Sequence, residues 1–168
     1  YAEADVPFNE RPEIDRWILS SLQSLIKQVN QHMEDYEPTL AGRAIDEFVD
    51  ELLSNWYVRL SRRRFWKGEY GTDKISAYQT LYNCLVTVAK LAAPISPFFT
   101  DSMYRNLNAV TGKEPFTSVH HADFPVANDT WIDSALEERM GMAKETCSLV
   151  LSIRKKVNIR VRQPLQKM

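Results

Sequence analysis

The sequence has few of the residues on which several protein classes depend. Cysteine occurs only twice in 168 residues, at Cys84 and Cys147, 63 positions apart. This spacing provides no CxxC pair for zinc and no disulfide framework, so we expect both thiols to be buried as small apolar groups. No apolar run reaches the roughly 18 residues of a membrane helix, and no signal-peptide pattern opens the chain. These absences predict a cytoplasmic protein with no membrane segment.

Motifs that carry common chemistries are missing as well. The chain contains no glycine-rich phosphate loop, no HExxH zinc motif and no GxSxG nucleophile motif. His120 and His121 are neighbours in the sequence, but adjacent side chains diverge and would need further ligands to hold a metal. We therefore expect no catalytic site, no cofactor and no metal in this chain.

Glycine is also scarce, with only five residues, and apolar residues recur at spacings of three and four. This period is typical of helices that bury one face. The pattern predicts an all-α, up-down bundle of about five main helices with short connections. The predicted helices run from Pro12 to Tyr36, from Thr39 to the glycines at 68 and 71, from Thr72 or Asp73 to Pro94, from Ser96 and Pro97 to Leu107, and from Asp129 or Thr130 to Lys156.

Two segments lack the helical period. Residues 110–128 carry Gly112, Pro115 and Pro125, which predicts a long loop packed on the bundle. After the fifth helix, whose apolar stripe includes Cys147, apolar and polar residues alternate over 157–162, which predicts an extended exit strand. We expect residues 1–168 to form one domain cut from a larger protein, in which 157–168 begin the link to the next subdomain.

Positive charge is concentrated in two short segments. Residues 59–67 contain five cations and residues 154–167 contain six, and neither segment contains an acid. Together they hold eleven of the 21 Lys and Arg residues, whereas all 22 Asp and Glu residues lie elsewhere. This asymmetry is hidden in a net charge of −1, and it indicates a polyanionic partner.

The first basic segment combines cations with an aromatic side chain. A helical projection at about 100° per residue places Asn55, Arg59, Arg62 and Trp66 on one strip at the edge of the apolar stripe. A guanidinium takes phosphate in a fork and an indole offers a stacking face, so this strip suits single-stranded nucleic acid. The alternative is that the cations only complement the dipole at a helix C-terminus.

The same projection makes three further predictions. Trp56 falls at the centre of the apolar stripe, and Arg64 falls in solvent. Arg63 falls inside the apolar arc, so either the helix unwinds before it or a buried acid holds it. We expect the two basic segments to flank one nucleic-acid-binding surface, formed by Arg59, Arg62, Arg63, Arg64, Trp66, Lys67, Arg154, Lys155, Lys156, Arg160 and Arg162.

Longer motifs occur in order along the chain: Asp15-Arg16-Trp17-Ile18-Leu19-Ser20, Tyr36-Glu37-Pro38-Thr39, Asn55-Trp56-Tyr57-Val58-Arg59, Ser61-Arg62-Arg63-Arg64-Phe65-Trp66, Leu91-Ala92-Ala93-Pro94-Ile95-Ser96-Pro97-Phe98, Ser118-Val119-His120-His121-Ala122-Asp123-Phe124-Pro125 and Val161-Arg162-Gln163-Pro164-Leu165. Over essentially the whole chain, they resemble the anticodon-binding helical domain of isoleucyl-tRNA synthetases. The Asn-Trp-Tyr motif alone also suits valyl and other class Ia synthetases. The Arg-Arg-Arg-Phe-Trp and Arg-Gln-Pro-Leu segments favour the isoleucine enzymes.

The resemblance implies a role in positioning tRNA within a larger ligase. Such enzymes use ATP and magnesium to attach isoleucine to its tRNA, they edit mischarged valine in a separate domain, and bacterial members often carry a zinc module downstream. The HIGH and KMSKS signatures of that chemistry do not occur in this chain. The implied partners are isoleucine-accepting tRNA and the remaining domains of the same polypeptide, which we expect to be monomeric. The alternatives are the corresponding domain of a valyl-type enzyme and a helical module that binds an acidic protein.

Overall fold

The computed structural model describes residues 4–67 and 69–164, and no β-strand occurs in those ranges. The all-α bundle prediction is confirmed. The chain forms two compact units, one ending at Ile132 and one beginning at Asp133. The helical elements are α1 (Glu13–Glu34), α2 (Pro38–Glu47), a π-helical segment (Phe48–Val58), α3 (Arg62–Trp66), α4 (Thr72–Ala92), α5 (Pro97–Thr111) and α6 (Ser134–Lys156), with 3-10 turns at Phe8–Glu10, Val119–His121 and Asp129–Trp131.

Proline marks the start of two helices. Pro38 and Pro97 lie in the first turn of α2 and α5, where a missing N–H costs nothing. The second predicted helix therefore begins at Pro38, one residue before the expected Thr39. Gly112 ends α5 in the left-handed conformation, with φ of 62°, which glycine adopts without steric cost.

The second predicted helix is not a continuous α-helix. Its middle part, Phe48–Val58, is π-helical, and a turn at Ser61 separates it from α3. A π-helix bonds residue i to i+5 and so places more residues in each turn than the about 3.6 of an α-helix. The side chains therefore leave the predicted register. Tyr57 is fully buried, and the prediction that Trp56 lies at the core centre is wrong, since Trp56 is only half-buried.

The core of the first unit is built around α1. The apolar face of α1 buries Ile18, Leu22 and Val29, and it packs against α2, the π-helical segment and α4. Only three residues separate the end of α1 from the start of α2. The helix formed by α2 and the π-helical segment therefore returns along α1, as in an up-down bundle. This arrangement places the end of the π-helical segment and α3 next to the start of α4.

The predicted loop over residues 110–128 is confirmed, although its first two residues extend α5. Val119 of this loop is buried in a cluster with Val86, Ala89 and Tyr104. The loop is therefore packed on α4 and α5, as the prediction stated.

Tyr104 is expected to make the free energy of unfolding fall at alkaline pH. Burial, followed by the negative charge of Glu114, raises the pKa of Tyr104 to about 12, and the phenol donates a hydrogen bond of 3.2 Å to that carboxylate. The unfolded chain releases this proton near pH 10, whereas the folded chain retains it. The contribution of the protonated phenol is therefore fully present below about pH 10 and is lost as the pH rises through about 12.

Urea denaturation between about pH 8.5 and 11 measures this loss. The Tyr104→Phe variant cannot ionise at this position, so its free energy of unfolding should decline less steeply above about pH 10. Equal declines in the two proteins would contradict the prediction.

α6 begins later than predicted. Asp129 and Thr130 belong to a separate 3-10 turn, and the helix starts at Ser134. The carboxylate of Asp133 accepts a hydrogen bond of 2.9 Å from the backbone N–H of Leu136, which caps the helix.

The apolar side chains of the second unit are mostly exposed. Leu136 is the buried residue of α6, whereas Cys147, Leu149 and Ile153 are exposed. The predictions of a buried Cys147 and of an inward apolar stripe on this helix are therefore wrong. The physical reason is that the described part of this unit contains one helix, so it holds no second apolar face to cover the stripe.

The segment after α6 is not an extended strand. Residues 157–158 and 161–162 form turns, and Asn158 has a φ of 55°. Nη1 of Arg154 donates to the carbonyl oxygens of Arg160 and Gln163, each at 2.9 Å, and so holds the segment against the end of α6. The alternating pattern gave a wrong prediction because a strand also needs a neighbouring strand for its backbone hydrogen bonds, and no strand lies in the described ranges. Residues 165–168 of the predicted link lie outside the described residues.

Candidate nucleic-acid interface

The first basic segment lies on α3 and at its two ends. Arg59 follows the π-helical segment, Arg62, Arg63 and Trp66 belong to α3, and Lys67 ends that helix. All five side chains are exposed, Trp66 by 70%. The structure therefore brings five of the six predicted side chains of this segment to the surface of one short region.

Arg62 and Trp66 form a pair on the outer face of α3. The guanidinium carbon of Arg62 lies 5.8 Å from the centroid of the Trp66 ring, within cation–π range. In residues 4–67 and 69–164, no carboxylate lies within ion-pair distance of Arg59, Arg62 or Arg63. Exposed guanidinium groups without an acid partner, next to an exposed indole, can contact phosphates and a base.

Arg64 points inward, towards α1. Its Nη1 and Nη2 donate to Oδ1 and Oδ2 of Asp15 at 2.6 and 2.8 Å, and its Nε donates to Oδ2 of Asp73 at 3.1 Å. Its side chain is only 16% exposed, so the prediction that Arg64 lies in solvent is wrong. The assignment of Arg64 to RNA is weakened, since the protein already occupies its guanidinium group.

Asp15 is the centre of this polar cluster. It lies on α1 with no exposed surface, and it also accepts hydrogen bonds from the hydroxyls of Tyr57 and Ser76, at 2.9 and 2.6 Å. The four donors come from the π-helical segment, α3 and α4. A single buried carboxylate thus joins α1 to three other elements, and its hydrogen-bonding capacity is filled.

The cluster shifts the acidity of its members. Burial raises the pKa of the Tyr57 phenol, and the adjacent charge of Asp15 raises it further. Burial alone would lower the pKa of the Arg64 guanidinium, but the hydrogen bonds and negative charge of Asp15 outweigh it and raise that pKa. Both groups therefore stay protonated in the folded state at any pH near neutrality.

The register of the π-helical segment explains why Arg63 and Arg64 exchange their predicted environments. Ser61 lies in a turn, so the helix unwinds before Arg63, which is the first of the two alternatives foreseen for that residue. Arg63 is exposed and Arg64 faces Asp15. The projection at a constant about 100° per residue cannot represent a segment with wider turns and a break.

Sequence reasoning missed Asp15 as a member of the site, although a signal was present. On a helix, Asp15 projects at about 60° from Ile18, inside the apolar arc that also contains Leu22 and Val29. A lone acid in a buried stripe needs a cationic or hydrogen-bonding partner. The pattern could therefore have predicted a buried anchor, but not which arginine reaches it.

Phe65 completes the inner side of α3. Its ring is buried and packs edge-on against Tyr57, Trp66 and Tyr78, with centroids 6.4, 6.4 and 5.3 Å away. The hydroxyl of Tyr78 donates to the carbonyl oxygen of Phe65 at 3.2 Å. Trp66 is thus supported on one side by a buried ring while its surface stays accessible.

The second basic segment belongs to the second unit, at the end of α6 and directly after it. Lys155, Lys156, Arg160 and Arg162 are exposed, whereas Arg154 uses its guanidinium to bind carbonyl groups of the segment after α6. Lysines at this helix end also complement the helix dipole. The expectation that the two basic segments flank one surface stays a prediction.

The described residues show no sign of two other kinds of site. No helix among them is both long and apolar enough to cross a membrane. In the same ranges, the fold brings together no group of three His, Cys, Asp or Glu side chains that could hold a metal ion.

The chain is similar to known proteins over nearly its whole length. Residues 15–168 match the family described as the anticodon-binding domain of tRNA ligase. An isoleucine–tRNA ligase of Bacteroides thetaiotaomicron is 60% identical over 166 residues, which are 99% of this chain and 14% of that protein. The isoleucine–tRNA ligases of Cytophaga hutchinsonii and Thermus thermophilus are 59% and 44% identical, over 99% and 95% of this chain and 15% of each relative.

The chain therefore spans about one seventh of the length of the curated relatives that it matches. The resemblance stated from its motifs is confirmed by the family match and by these identities. An exposed basic face with an accessible indole is consistent with that family. The chain belongs to the family of anticodon-binding domains of tRNA ligases.

Proposed function

We propose that this chain binds the anticodon arm of isoleucine-accepting tRNA as part of a longer isoleucine–tRNA ligase. The observation that carries the proposal is the exposed Arg62–Trp66 pair within an acid-free basic segment. The family match supports the anticodon as the target, and the names of the relatives support isoleucine as the amino acid. In this role the chain positions the tRNA and leaves the ligation chemistry to other parts of the polypeptide.

The two kinds of side chain on the face of α3 have different tasks. Arg59, Arg62, Arg63 and Lys67 supply cations for phosphates, which set affinity and orientation. Trp66 supplies a stacking surface for one unpaired base of the anticodon loop, a common mode of recognising single-stranded RNA. Because Arg64 is held by two aspartates, we assign it no phosphate.

The second basic segment adds phosphate contacts in the same proposal. Lys155, Lys156, Arg160 and Arg162 are exposed cations without an acid in their segment. Arg154 instead keeps the segment folded against the end of α6. Neutral replacements of the exposed four should therefore weaken RNA binding more than replacement of a cation on α2.

The longer protein would carry the remaining functions. We propose that it joins isoleucine to tRNA with ATP and magnesium, that it acts as a monomer, and that it works in the cytoplasm, where tRNA is charged. The sequence of this chain holds no phosphate loop and no HIGH or KMSKS signature, so we assign the ligation of isoleucine to tRNA to other parts of the longer protein.

Trp66→Ala tests the stacking role. The variant should bind an isoleucine anticodon stem-loop RNA about tenfold more weakly, because stacking of one base on an aromatic side chain is worth about 1–3 kcal/mol. Its free energy of unfolding should change by less than about 1 kcal/mol, since Trp66 is 70% exposed. Fluorescence anisotropy of labelled RNA and urea denaturation measure the two quantities.

Phe98→Ala is the matched control, because Phe98 is an aromatic residue of the same unit with 90% exposure. It should leave RNA affinity unchanged. Equal affinities for Trp66→Ala and the unmodified chain would remove the stacking role. Displacement of the RNA by polyglutamate at equal charge concentration would favour the alternative, a module for an acidic protein.

A further inference from the structure

We infer that the buried Asp15–Arg64 ion pair positions the RNA-binding face of α3, an inference that rests on the proposed function. α3 has only five residues, and a helix of this length is not stable by itself. Its orientation therefore depends on contacts of its inner side chains as well as on the turn at Ser61 that joins it to the preceding helix. Arg64 and Phe65 make those contacts, whereas Arg62 and Trp66 face outward.

Asp15 is suited to act as a fixed reference point. It lies on α1, the longest helix of the first unit, and it is held by Tyr57 and Ser76 independently of α3. Arg64 meets it through two parallel hydrogen bonds of 2.6 and 2.8 Å. A two-point contact between planar groups fixes direction as well as distance.

The outward residues are close neighbours of Arg64 in the chain. Arg62 lies two residues before it and Trp66 two residues after it. A rotation of α3 that releases Arg64 must turn both of these side chains by the same angle. The ion pair therefore controls whether the Arg62–Trp66 pair, with its separation of 5.8 Å, faces the RNA.

Direct contact of Arg64 with a phosphate is the competing explanation, and it predicts the opposite result for one substitution. Asp15→Asn removes a buried negative charge and leaves every cation in place. If Arg64 itself bound phosphate, losing the buried one of its two acid partners would leave it only the exposed carboxylate of Asp73 and would strengthen RNA binding. If Arg64 is a positioning residue, the same substitution weakens RNA binding, because α3 loses its ion pair with α1 and Arg64 keeps only the exposed Asp73 as an acid partner.

The test measures the affinity of the chain for the isoleucine anticodon stem-loop RNA at several salt concentrations. Asp15→Asn should weaken binding at least about fivefold, with an unchanged slope of log affinity against log salt, since the number of neutralised phosphates stays the same. Hydrogen exchange of the α3 amides should become faster, while amides of the α1 core stay protected. Circular dichroism establishes that the variant is folded at the temperature used.

Arg64→Lys provides a second variant in case Asp15→Asn folds poorly. Lysine keeps the positive charge but cannot make the two-point contact. We expect a loss of affinity similar to that of Asp15→Asn. Asp46→Asn and Arg43→Lys, at exposed positions of α2, are the matched controls and should bind as the unmodified chain does.

Each outcome decides the inference. Weaker binding by both variants with an unchanged salt slope supports it. Tighter or equal binding by Asp15→Asn, or full affinity of Arg64→Lys, overturns it while the proposed function stands. Failure of the unmodified chain to bind the RNA overturns the proposed function and this inference together.

Discussion

Replacing Asp15 with alanine should lower the free energy of unfolding by about 3 to 5 kcal/mol, the range typical when one partner of a buried ion pair is removed. Arg64, Tyr57 and Ser76 would each lose an acceptor, the Asp15 carboxylate, which is closed to solvent. Three helical elements would also lose their common attachment to α1. Urea denaturation at about pH 7, followed by circular dichroism, measures the loss.

Two comparisons make this expectation specific. The double variant Asp15→Ala, Arg64→Met should recover part of the loss, because no unpaired charge is then left in the interior. Asp46→Ala, at an exposed position of α2, should change the free energy of unfolding by less than about 0.5 kcal/mol. A loss below about 1 kcal/mol for Asp15→Ala would show that the cluster does not hold the bundle together.

RNA binding should weaken roughly 50-fold when the salt concentration rises fourfold. This value counts about four of the eight proposed cations, Arg59 and Arg62 among them, as each neutralising one phosphate and contributing about 0.7 to the slope of log affinity against log salt for single strands. Because Arg59 and Arg62 are exposed and have no ion pair in the described ranges, neutralising both should remove about 1.4 from that slope. For the Arg59→Gln, Arg62→Gln variant, the same rise in salt should weaken binding only about sevenfold.

A salt titration of the anticodon stem-loop complex provides the measurement, with Arg43→Gln as the control for loss of a surface cation. The helical circular dichroism signal should not change in any of these variants. A slope that is unaltered in the double variant would remove Arg59 and Arg62 from the interface, while the family assignment would stand.

Much of the fold could be predicted because its signals are local. Pro38 and Pro97 begin helices where proline is favoured, Gly112 ends one with a positive φ, and the apolar period of α1 corresponds to its buried face. These features depend on neighbours within about one turn of the same helix. A pattern read along the chain contains such information.

The errors have non-local causes. The π-helical segment has no marker residue, so a constant rotation per residue placed Trp56 at the core centre and exchanged the environments of Arg63 and Arg64. The apolar residues of α6, among them Cys147, indicated a buried face, but the described part of the second unit, residues 133–164, offers no partner to cover it. In the same way, the alternation after α6 indicated a strand without supplying a neighbouring strand.

The candidate site could be predicted in composition but not in arrangement. Charge counting identified the basic segment at 59–67, and five of its six chosen side chains are exposed. It could not separate Arg64 from the arginines beside it, because that distinction depends on an aspartate 49 positions away on another helix. Long-range pairing of this kind is a property of the packed structure.

The π-helical segment has a consequence for insertions and deletions. Removing one residue between Phe48 and Val58 would change the helical register by one residue, so that α3, which follows directly, would turn by about 100° about the helix axis. Arg64 would then leave Asp15, and a different arginine would occupy the inward position. The length of this segment, more than its composition, therefore decides which arginines of the Arg62-Arg63-Arg64 run are exposed. Loops elsewhere in the chain should tolerate a change of length far better than this helix does.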